Sequence, residues 1–182
     1  MNENPFLILV DDGDRQWGKL EKTLVHELGL LHRAFSVFIF NSDGDLLLQQ
    51  RADEKYHSGG LWTNTCCSHP RWGESLEDAV EERLFAEMGI TAETNYAFNF
   101  IYKVEFGNGL TEHELDHVFI GTSDVIPNPN PAEVKNWKYC SMNYIRQDMR
   151  KHPERYTVWF RLCFEQVAAY RDNQIQLINK RA

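Results

Sequence analysis

The sequence lacks the apolar segments that a membrane or secreted protein needs. No apolar run approaches the roughly 18 residues that cross a bilayer as a helix. The apolar stretch at residues 6–10 is short and follows no basic residue, so it does not resemble a signal peptide. We therefore expect a cytoplasmic protein without a membrane partner.

An excess of positive charge and obvious linkers are absent as well. The formal net charge of the 182 residues is -8, which disfavours nucleic acid and acidic lipid as partners. An anionic ligand would therefore need a local basic cluster. No repeat and no stretch rich in proline, glycine or serine divides the chain, and 42% of its residues are apolar. These features predict a single domain over residues 1–182 with one full core.

Cysteine is scarce, and its spacing excludes one class of metal site. The four cysteines do not form the two Cys-x-x-Cys pairs of a structural zinc site, and a reducing cytoplasm would keep them as thiols. Cys66 and Cys67 are adjacent. If their segment is extended, the two side chains point to opposite faces, so that one thiol can lie in a core and the other in a cavity.

The densest reactive chemistry lies at residues 62–90. Residues 63–70 read Thr-Asn-Thr-Cys-Cys-Ser-His-Pro, and a helix is predicted between an N-cap at Ser75 and a stop at Gly89. Arg83 and Glu87 fall within the apolar stripe of this helix, where an unpaired charge is costly. They form either an i,i+4 ion pair or one wall of a polar cavity, in which Glu87 meets a cation and Arg83 an anion.

A second unusual group lies on a strand predicted at residues 112–120. Glu112, Glu114 and Asp116 share one face of that strand, where three carboxylates repel one another unless a cation lies among them. A set of three imidazoles and two carboxylates suits a first-row divalent metal such as Mn²⁺ or Zn²⁺. The candidate ligands are His26, His32, His69, Glu112 and Glu114. Any one of these histidines taken alone is more often structural.

Predicted strands fill the middle of the chain, and predicted helices at residues 20–28, 144–151 and 157–177 surround them. This order indicates an α+β domain with a mixed β-sheet core sandwiched between helices.

The predicted helix also resembles the Nudix box, a loop and helix whose carboxylates bind Mg²⁺ on a diphosphate. The matching residues are Glu74, Glu82, Arg83, Leu84, Glu87, Gly89 and Ile90. Ala86 stands where the box has a metal-binding glutamate. A diphosphate hydrolase needs those carboxylates, so the resemblance implies a Nudix-like fold with another activity.

A more specific resemblance covers nearly the whole chain. The run at residues 64–70, the sequence Gly73-Glu74-Ser75 and the pair Glu112-x-Glu114 resemble type I isopentenyl diphosphate isomerase. That family interconverts isopentenyl and dimethylallyl diphosphate by protonating an alkene and removing a proton on the other side. The resemblance implies a prenyl diphosphate as the small-molecule partner, and we expect a monomer or weak homodimer.

The resemblance also implies a role for each matching residue. The catalytic residues would be Cys67, Glu114, Tyr102 and Trp159. The diphosphate would be bound by Lys22, Arg51, Lys55 and Arg83. Glu87 would bind Mg²⁺ together with the diphosphate, and the three histidines with Glu112 and Glu114 would hold the second metal.

Other interpretations remain open at this point. Without the resemblance, Cys67 and Trp159 are more often core residues, Tyr102 a strand aromatic, and the basic residues solvated. The alternative functions are a Nudix hydrolase of a nucleoside or prenyl diphosphate and a metal-binding protein without activity.

Overall fold

The structure is a computed structural model that describes residues 5–107 and 109–179. Nine strands form one sheet in this part of the chain. They are β1 (Phe6–Val10), β2 (Gln16–Glu21), β3 (His32–Phe40), β4 (Leu46–Arg51), β5 (Trp62–Thr63), β6 (Cys66–Ser68), β7 (Thr94–Glu105), β8 (Thr111–Thr122) and β9 (Val134–Cys140). The helices are α1 (Lys22–Leu28), α2 (Leu76–Met88), α3 (Met142–Lys151) and α4 (Val158–Asn179), with a 3-10 turn at Pro153–Arg155.

Strand β3 lies at the centre of the sheet. It pairs in parallel with β8, His32 opposite Glu114, and antiparallel with β6, Ser36 opposite Cys67. The remaining long pairings, β7 with β8 and β4 with β9, are antiparallel. The sheet is therefore mixed, and the α+β prediction is confirmed.

The side chains of each central strand point alternately into two cores, one on each face of the sheet. In β3, Phe38 packs in the core that contains Phe160 and Phe164 of α4, whereas Val37 packs with Leu84 of α2. Successive side chains of a strand point to opposite faces, so α4 and α2 cover the two sides of the sheet. This arrangement is the predicted sandwich. No helix within the described residues is long and apolar enough to span a membrane.

The ends of α2 were predicted correctly, whereas the start of α1 was not. Helix α2 has the predicted ends: the Ser75 side chain accepts a hydrogen bond from the Asp78 backbone N–H, and Gly89 has a φ of 65°. The prediction of a helix at residues 20–28 is wrong at its start, because residues 16–21 form β2 and pair with β1. Helix α1 begins at Lys22, where the Glu21 side chain caps it by accepting from the backbone N–H of Leu24.

Candidate active site

One cavity brings the predicted site residues together. It is bordered by β6, β8, the start of α4, the second half of α2 and the loop of residues 52–61, called here the 52–61 loop. Every predicted site residue lines it except His26 and His32. Those two histidines contact residues of its wall: His26 contacts Glu112, and His32 contacts His69.

The sheet register places the thiol and the carboxylates at this cavity. β3 lies between β6 and β8, and Cys67 of β6 and Glu114 of β8 both line the cavity. Cys66 points the other way and is fully buried in the core under α2. The prediction that the adjacent thiols occupy opposite faces is confirmed.

Three histidines and Glu112 converge on one point beside the cavity. One ligand atom from each of His26, His32, His69 and Glu112 lies within 4.8 Å of all the others. His26 Nε2 is 3.1 Å from Glu112 Oε2, and His32 Nε2 is 3.2 Å from His69 Nε2. Glu114 adjoins the group, with its Oε1 2.9 Å from His69 Nε2.

Backbone carbonyls orient two of these imidazoles. His26 Nδ1 is 2.6 Å from the oxygen of Lys22, and His32 Nδ1 is 2.9 Å from that of Leu30. A carbonyl oxygen can only accept, so Nδ1 carries a proton in both rings and Nε2 is the nitrogen turned to the cluster. Metal-ligating histidines commonly have such a partner on the other nitrogen. Burial lowers the pKa of His69 to about 4 and keeps its imidazole neutral at pH 7. The donor set fits a divalent metal.

Cys67 and Glu114 differ in protonation. Burial raises the pKa of the Cys67 thiol to about 12, and Arg51 Nη1 lies 3.9 Å from its sulfur. Burial also raises the pKa of Glu114, but hydrogen bonds from His32 and His69 contribute to a net lowering. The Tyr102 hydroxyl donates to Glu114 Oε2 over 2.7 Å. A protonated thiol and an ionised carboxylate therefore line the same cavity.

Trp159 and Arg51 form the wall next to Cys67. Trp159 is 4% exposed, and its Nε1 has no hydrogen-bond partner among the described residues. The Arg51 guanidinium carbon lies 5.3 Å from the centre of the indole ring. Trp159 belongs to the core cluster against which Cys67 packs.

Four basic residues, Lys22, Arg51, Lys55 and Arg83, line the cavity. Arg83 Nη2 is 2.8 Å from Glu87 Oε1, so the i,i+4 ion pair forms, and both of its members face the cavity. The ion pair and the position at a polar cavity thus occur together, and the binding of a cation by Glu87 and of an anion by Arg83 stays a prediction. Gln49 Nε2 donates to the other Glu87 oxygen over 3.1 Å.

Sequence reasoning missed several residues at the site. Tyr56 and His57 line the cavity, and Glu133 forms ion pairs with Lys55 and Arg83. Glu133 lies 78 residues from Lys55 along the chain, and no local pattern marks it. His57 is in the predicted polar loop beside Lys55, and its pairing with a carboxylate of β8 depends on the fold.

Asp116 differs from the other two carboxylates of its strand face. It lies outside the group of converging ligand atoms, and its Oδ2 accepts a hydrogen bond from the Ser36 hydroxyl over 2.8 Å. Burial and the nearby Glu114 raise the pKa of Asp116 well above its ordinary value. The converging ligand atoms include Glu112 and not Asp116, so the expectation of a cation among all three carboxylates is too broad.

Comparisons with known proteins agree with this geometry. Residues 30–160 match the NUDIX domain family. The chain is 48% identical to isopentenyl-diphosphate Delta-isomerase 2 of Aromatoleum aromaticum, over 91% of this chain and 87% of the relative. It is 49% identical to isopentenyl-diphosphate Delta-isomerase of Pectobacterium atrosepticum, over 90% of this chain and 92% of that protein. The chain belongs to the isopentenyl-diphosphate Delta-isomerase family. The resemblance read from the sequence is confirmed.

Solved structures that superpose on this isomerase-family chain share its fold. A MutT protein from Methanosarcina mazei superposes with a TM-score of 0.65 at 21% identity, over 79% of this chain and 95% of that one. A MutT NUDIX hydrolase from Burkholderia pseudomallei gives 0.60 at 22% identity, over 75% and 98% of the two chains. These likenesses show the Nudix fold, which was predicted.

Helix α2, which resembles the helix of the Nudix box, has one carboxylate at the cavity of this isomerase-family member. Glu87 is buried there, whereas Glu82 is exposed and pairs with Arg71 at 2.9 Å. The remaining acidic residues of α2, namely Glu77, Asp78 and Glu81, are also exposed. The helix thus does not present the several converging carboxylates that a Nudix hydrolase uses for its metals.

Proposed function

We propose that this protein interconverts isopentenyl diphosphate and dimethylallyl diphosphate. The observation that carries the proposal is a protonated thiol, Cys67, in the same cavity as an ionised carboxylate, Glu114. A reaction that adds one proton and removes another needs an acid and a base, that is, two groups whose pKa values are shifted apart. The family of the chain supports the same activity.

The reaction moves one double bond and leaves the proton count unchanged. A proton adds to the terminal carbon of the alkene and leaves a tertiary carbocation on the neighbouring carbon. Loss of a proton from the next carbon along the chain then forms the new double bond. Cys67 and Glu114 are the proposed acid and base, and the reverse reaction exchanges their roles. Tyr102 holds the Glu114 carboxylate through its hydroxyl.

The carbocation requires a dry cavity without a nucleophile. Water would trap it, and Trp159 supplies a wall that is almost fully buried. An indole face stabilises a nearby cation by about 0.5–2 kcal/mol and offers no lone pair for attack. The high pKa of Cys67 keeps its sulfur protonated before the reaction, which limits its nucleophilicity.

The basic side of the cavity is the proposed diphosphate site. Lys22, Arg51, Lys55 and Arg83 supply the positive charge there, and phosphate oxygens would replace Glu133 as the partner of Lys55 and Arg83. Glu87 would hold Mg²⁺ together with the diphosphate. We further propose Mn²⁺ or Zn²⁺ at His26, His32, His69, Glu112 and Glu114. A metal bound there would supply positive charge that lowers the pKa of Glu114 and orients its carboxylate.

We further propose that the protein acts in the cytoplasm as a single domain, monomeric or weakly dimeric, on a small molecule that is free in solution.

Replacing Cys67 tests the proposed function. Cys67→Ala is expected to retain its fold and metal binding but to lose at least ~100-fold in isomerisation, the lower range for one general acid or base. Deuterium uptake from D₂O into either prenyl diphosphate measures the reaction. Cys66→Ala is the matched control, because the same change is made on the opposite face of β6, and its folded fraction should exchange deuterium at the wild-type rate. Normal turnover in Cys67→Ala would remove Cys67 from the mechanism.

Phosphate release, measured beside deuterium uptake, separates the other two functions. A Nudix hydrolase would release phosphate from prenyl or nucleoside diphosphates, and the isomerase releases none. A protein that only binds metal would show neither phosphate release nor deuterium uptake.

A further inference from the structure

His57 of the 52–61 loop has a polar contact that the proposed mechanism does not use. Its Nε2 lies 2.6 Å from Glu112 Oε1, and the residue is 8% exposed. The two oxygens of Glu112 thus have different partners. Oε2 faces His26 at 3.1 Å and His32 at 3.8 Å, whereas Oε1 faces His57.

The hydrogen bonds of His57 determine which of its nitrogens carries the proton. An ionised carboxylate only accepts, so Nε2 of His57 is the donor to Glu112 and Nδ1 is left as an acceptor. The hydroxyl of Ser58 lies 3.2 Å from Nδ1 and completes this arrangement as a donor. Ser58 has a φ of 53°, a left-handed conformation that is rare for a residue other than glycine. The backbone at Ser58 is thus held in an unfavourable conformation next to His57.

Aromatic packing fixes the imidazole plane. The ring stacks on Phe106 with centroids 4.5 Å apart and planes at 14°, and it meets Trp159 edge-on at 5.9 Å. The backbone oxygen of His57 accepts from Arg51 Nη2 at 3.4 Å. Contacts on three sides therefore hold the ring against Glu112. His57 also lies outside the group of converging ligand atoms formed by His26, His32, His69 and Glu112.

We propose that His57 is a positioning residue of the metal site. Its Nε2–H holds Glu112 Oε1, so that Oε2 is presented to the metal, and it ties the 52–61 loop, which carries Lys55, to that carboxylate. Outer hydrogen bonds of this kind orient a metal ligand and raise its affinity. Metal binding and the order of the 52–61 loop are then coupled through one contact. This inference deepens the proposed function, since it assumes the metal site given there.

Metal affinity measured without substrate tests the proposal. His57→Phe keeps a flat ring for Phe106 and removes the donor, and it should weaken the binding of Zn²⁺ alone and of Mn²⁺ alone by about 10–100-fold. His57→Gln returns an N–H donor and should bind within about threefold of the wild type. Ser58→Ala removes only the hydroxyl that selects the tautomer and should lose about two- to tenfold, as for a neutral hydrogen bond.

His113→Gln is the matched control. His113 neighbours Glu112 on β8 but lies on the other face, where its Nδ1 is 3.0 Å from the oxygen of Gly29. Its metal affinity should equal that of the wild type. Circular dichroism of the metal-free variants checks the fold, and if His57→Phe does not fold, the glutamine and serine variants carry the test.

The coupling has a separate measurement. Adding Zn²⁺ should slow hydrogen exchange of the 53–60 amides in the wild type and in His57→Gln, and not in His57→Phe. Wild-type affinity in His57→Phe would overturn the proposal. Equal weakness of the phenylalanine and glutamine variants would also overturn it, because a direct metal ligand, and not a donor, would then explain the loss. None of these results depends on isomerisation, so a failure here is distinct from a failure of the proposed function.

Discussion

Cys67 and Glu114 line the same cavity, yet their hydrogen-bond partners give them opposite protonation states. Burial disfavours the charged form of both. Glu114 is contacted by donors on two sides, from Tyr102 at 2.7 Å and from His69 at 2.9 Å. The sulfur of Cys67 has a single long contact with Arg51 at 3.9 Å. At the carboxylate the donors lower the pKa by more than burial raises it, whereas at the thiol burial prevails. The result is an acid and a base in one cavity.

Replacing Tyr102 by phenylalanine tests how Glu114 is kept ionised. The hydroxyl donates to the charged carboxylate and so lowers its pKa, and its removal should raise the pKa of Glu114. The basic form of Glu114 would then be lost at a higher pH, and the acidic limb of the kcat/KM profile should move upward. A hydrogen bond to a charged group contributes about 1.5–3 kcal/mol, so we expect kcat/KM to fall by roughly 10–150-fold.

Deuterium uptake measured across pH reports this profile for Tyr102→Phe. Ile101→Ala is a suitable control, because this exposed neighbour on β7 points away from Glu114. An acidic limb that does not move in Tyr102→Phe would mean that the phenol does not control Glu114.

Residues at the site were predictable where the sequence carried a motif. Cys67, Glu112 and Glu114 belong to runs that resemble a known family, and their positions at the cavity follow from strand alternation. His57 and Glu133 belong to no such run. Their partners, Glu112 and Lys55, lie 55 and 78 residues away in sequence, so only the fold reveals them.

At the scale of elements, local patterns predicted α2 and the long strands but not β2. Helix α2 has an apolar stripe, and its ends are marked in the sequence by Ser75 and Gly89. β2 has no buried face, and Trp17 in it is 62% exposed. Its conformation depends on pairing with β1, from Phe6 opposite Glu21 to Leu9 opposite Gly18. Strand formation of this kind is decided by tertiary context more than by the residues themselves.

The end of α2 is joined to the loop that follows β8. The backbone N–H of Asn130 donates to the oxygen of Glu87 over 2.9 Å, and that of Asn128 donates to Met88 over 3.0 Å. Gly89 has a φ of 65°, and a Cβ there would collide with the backbone oxygen of Asn128. Glu87 is therefore positioned in part by a close backbone approach that only glycine permits.

Gly89→Ala should destabilise the protein more than the matched change Gly73→Ala. Gly73 has a φ of 87° with nothing within 4 Å of an added Cβ, so alanine there meets backbone strain alone. At Gly89 the collision adds about 1–3 kcal/mol, as overpacking does elsewhere. Urea unfolding of the two variants measures the difference. Equal losses in the free energy of unfolding would show that the end of α2 shifts to accommodate the added Cβ without further destabilisation.

For the whole molecule, an acidic net charge contrasts with a local cluster of four basic side chains. The net charge is -8, yet Lys22, Arg51, Lys55 and Arg83 line one cavity. The sequence predicted that an anionic ligand would need such a cluster. Because the general field of the protein repels anions, binding of a diphosphate depends on these few side chains and on the cations that accompany it.

The cluster of His26, His32, His69 and Glu112 joins parts of the chain that are far apart in sequence. His26 belongs to α1, His32 to β3 and Glu112 to β8, and His26 and Glu112 are 86 residues apart. A metal held by these elements stabilises the native state, because the unfolded chain does not bring them together. Its removal should therefore lower the stability of the whole fold.

Chelation of the metal, followed by thermal unfolding, measures this contribution. At a metal concentration 1,000 times its Kd, binding to the native state adds about 4 kcal/mol. For a chain of this size, 1 kcal/mol corresponds to a Tm shift of about 2–4 °C, so the metal-free protein should melt roughly 8–16 °C lower. Adding back Zn²⁺ or Mn²⁺ should restore the Tm of the wild type. Glu112→Gln removes one of the two proposed carboxylate ligands and should show a much smaller metal-dependent shift, whereas an equal shift in this variant would place the stabilising metal elsewhere in the molecule.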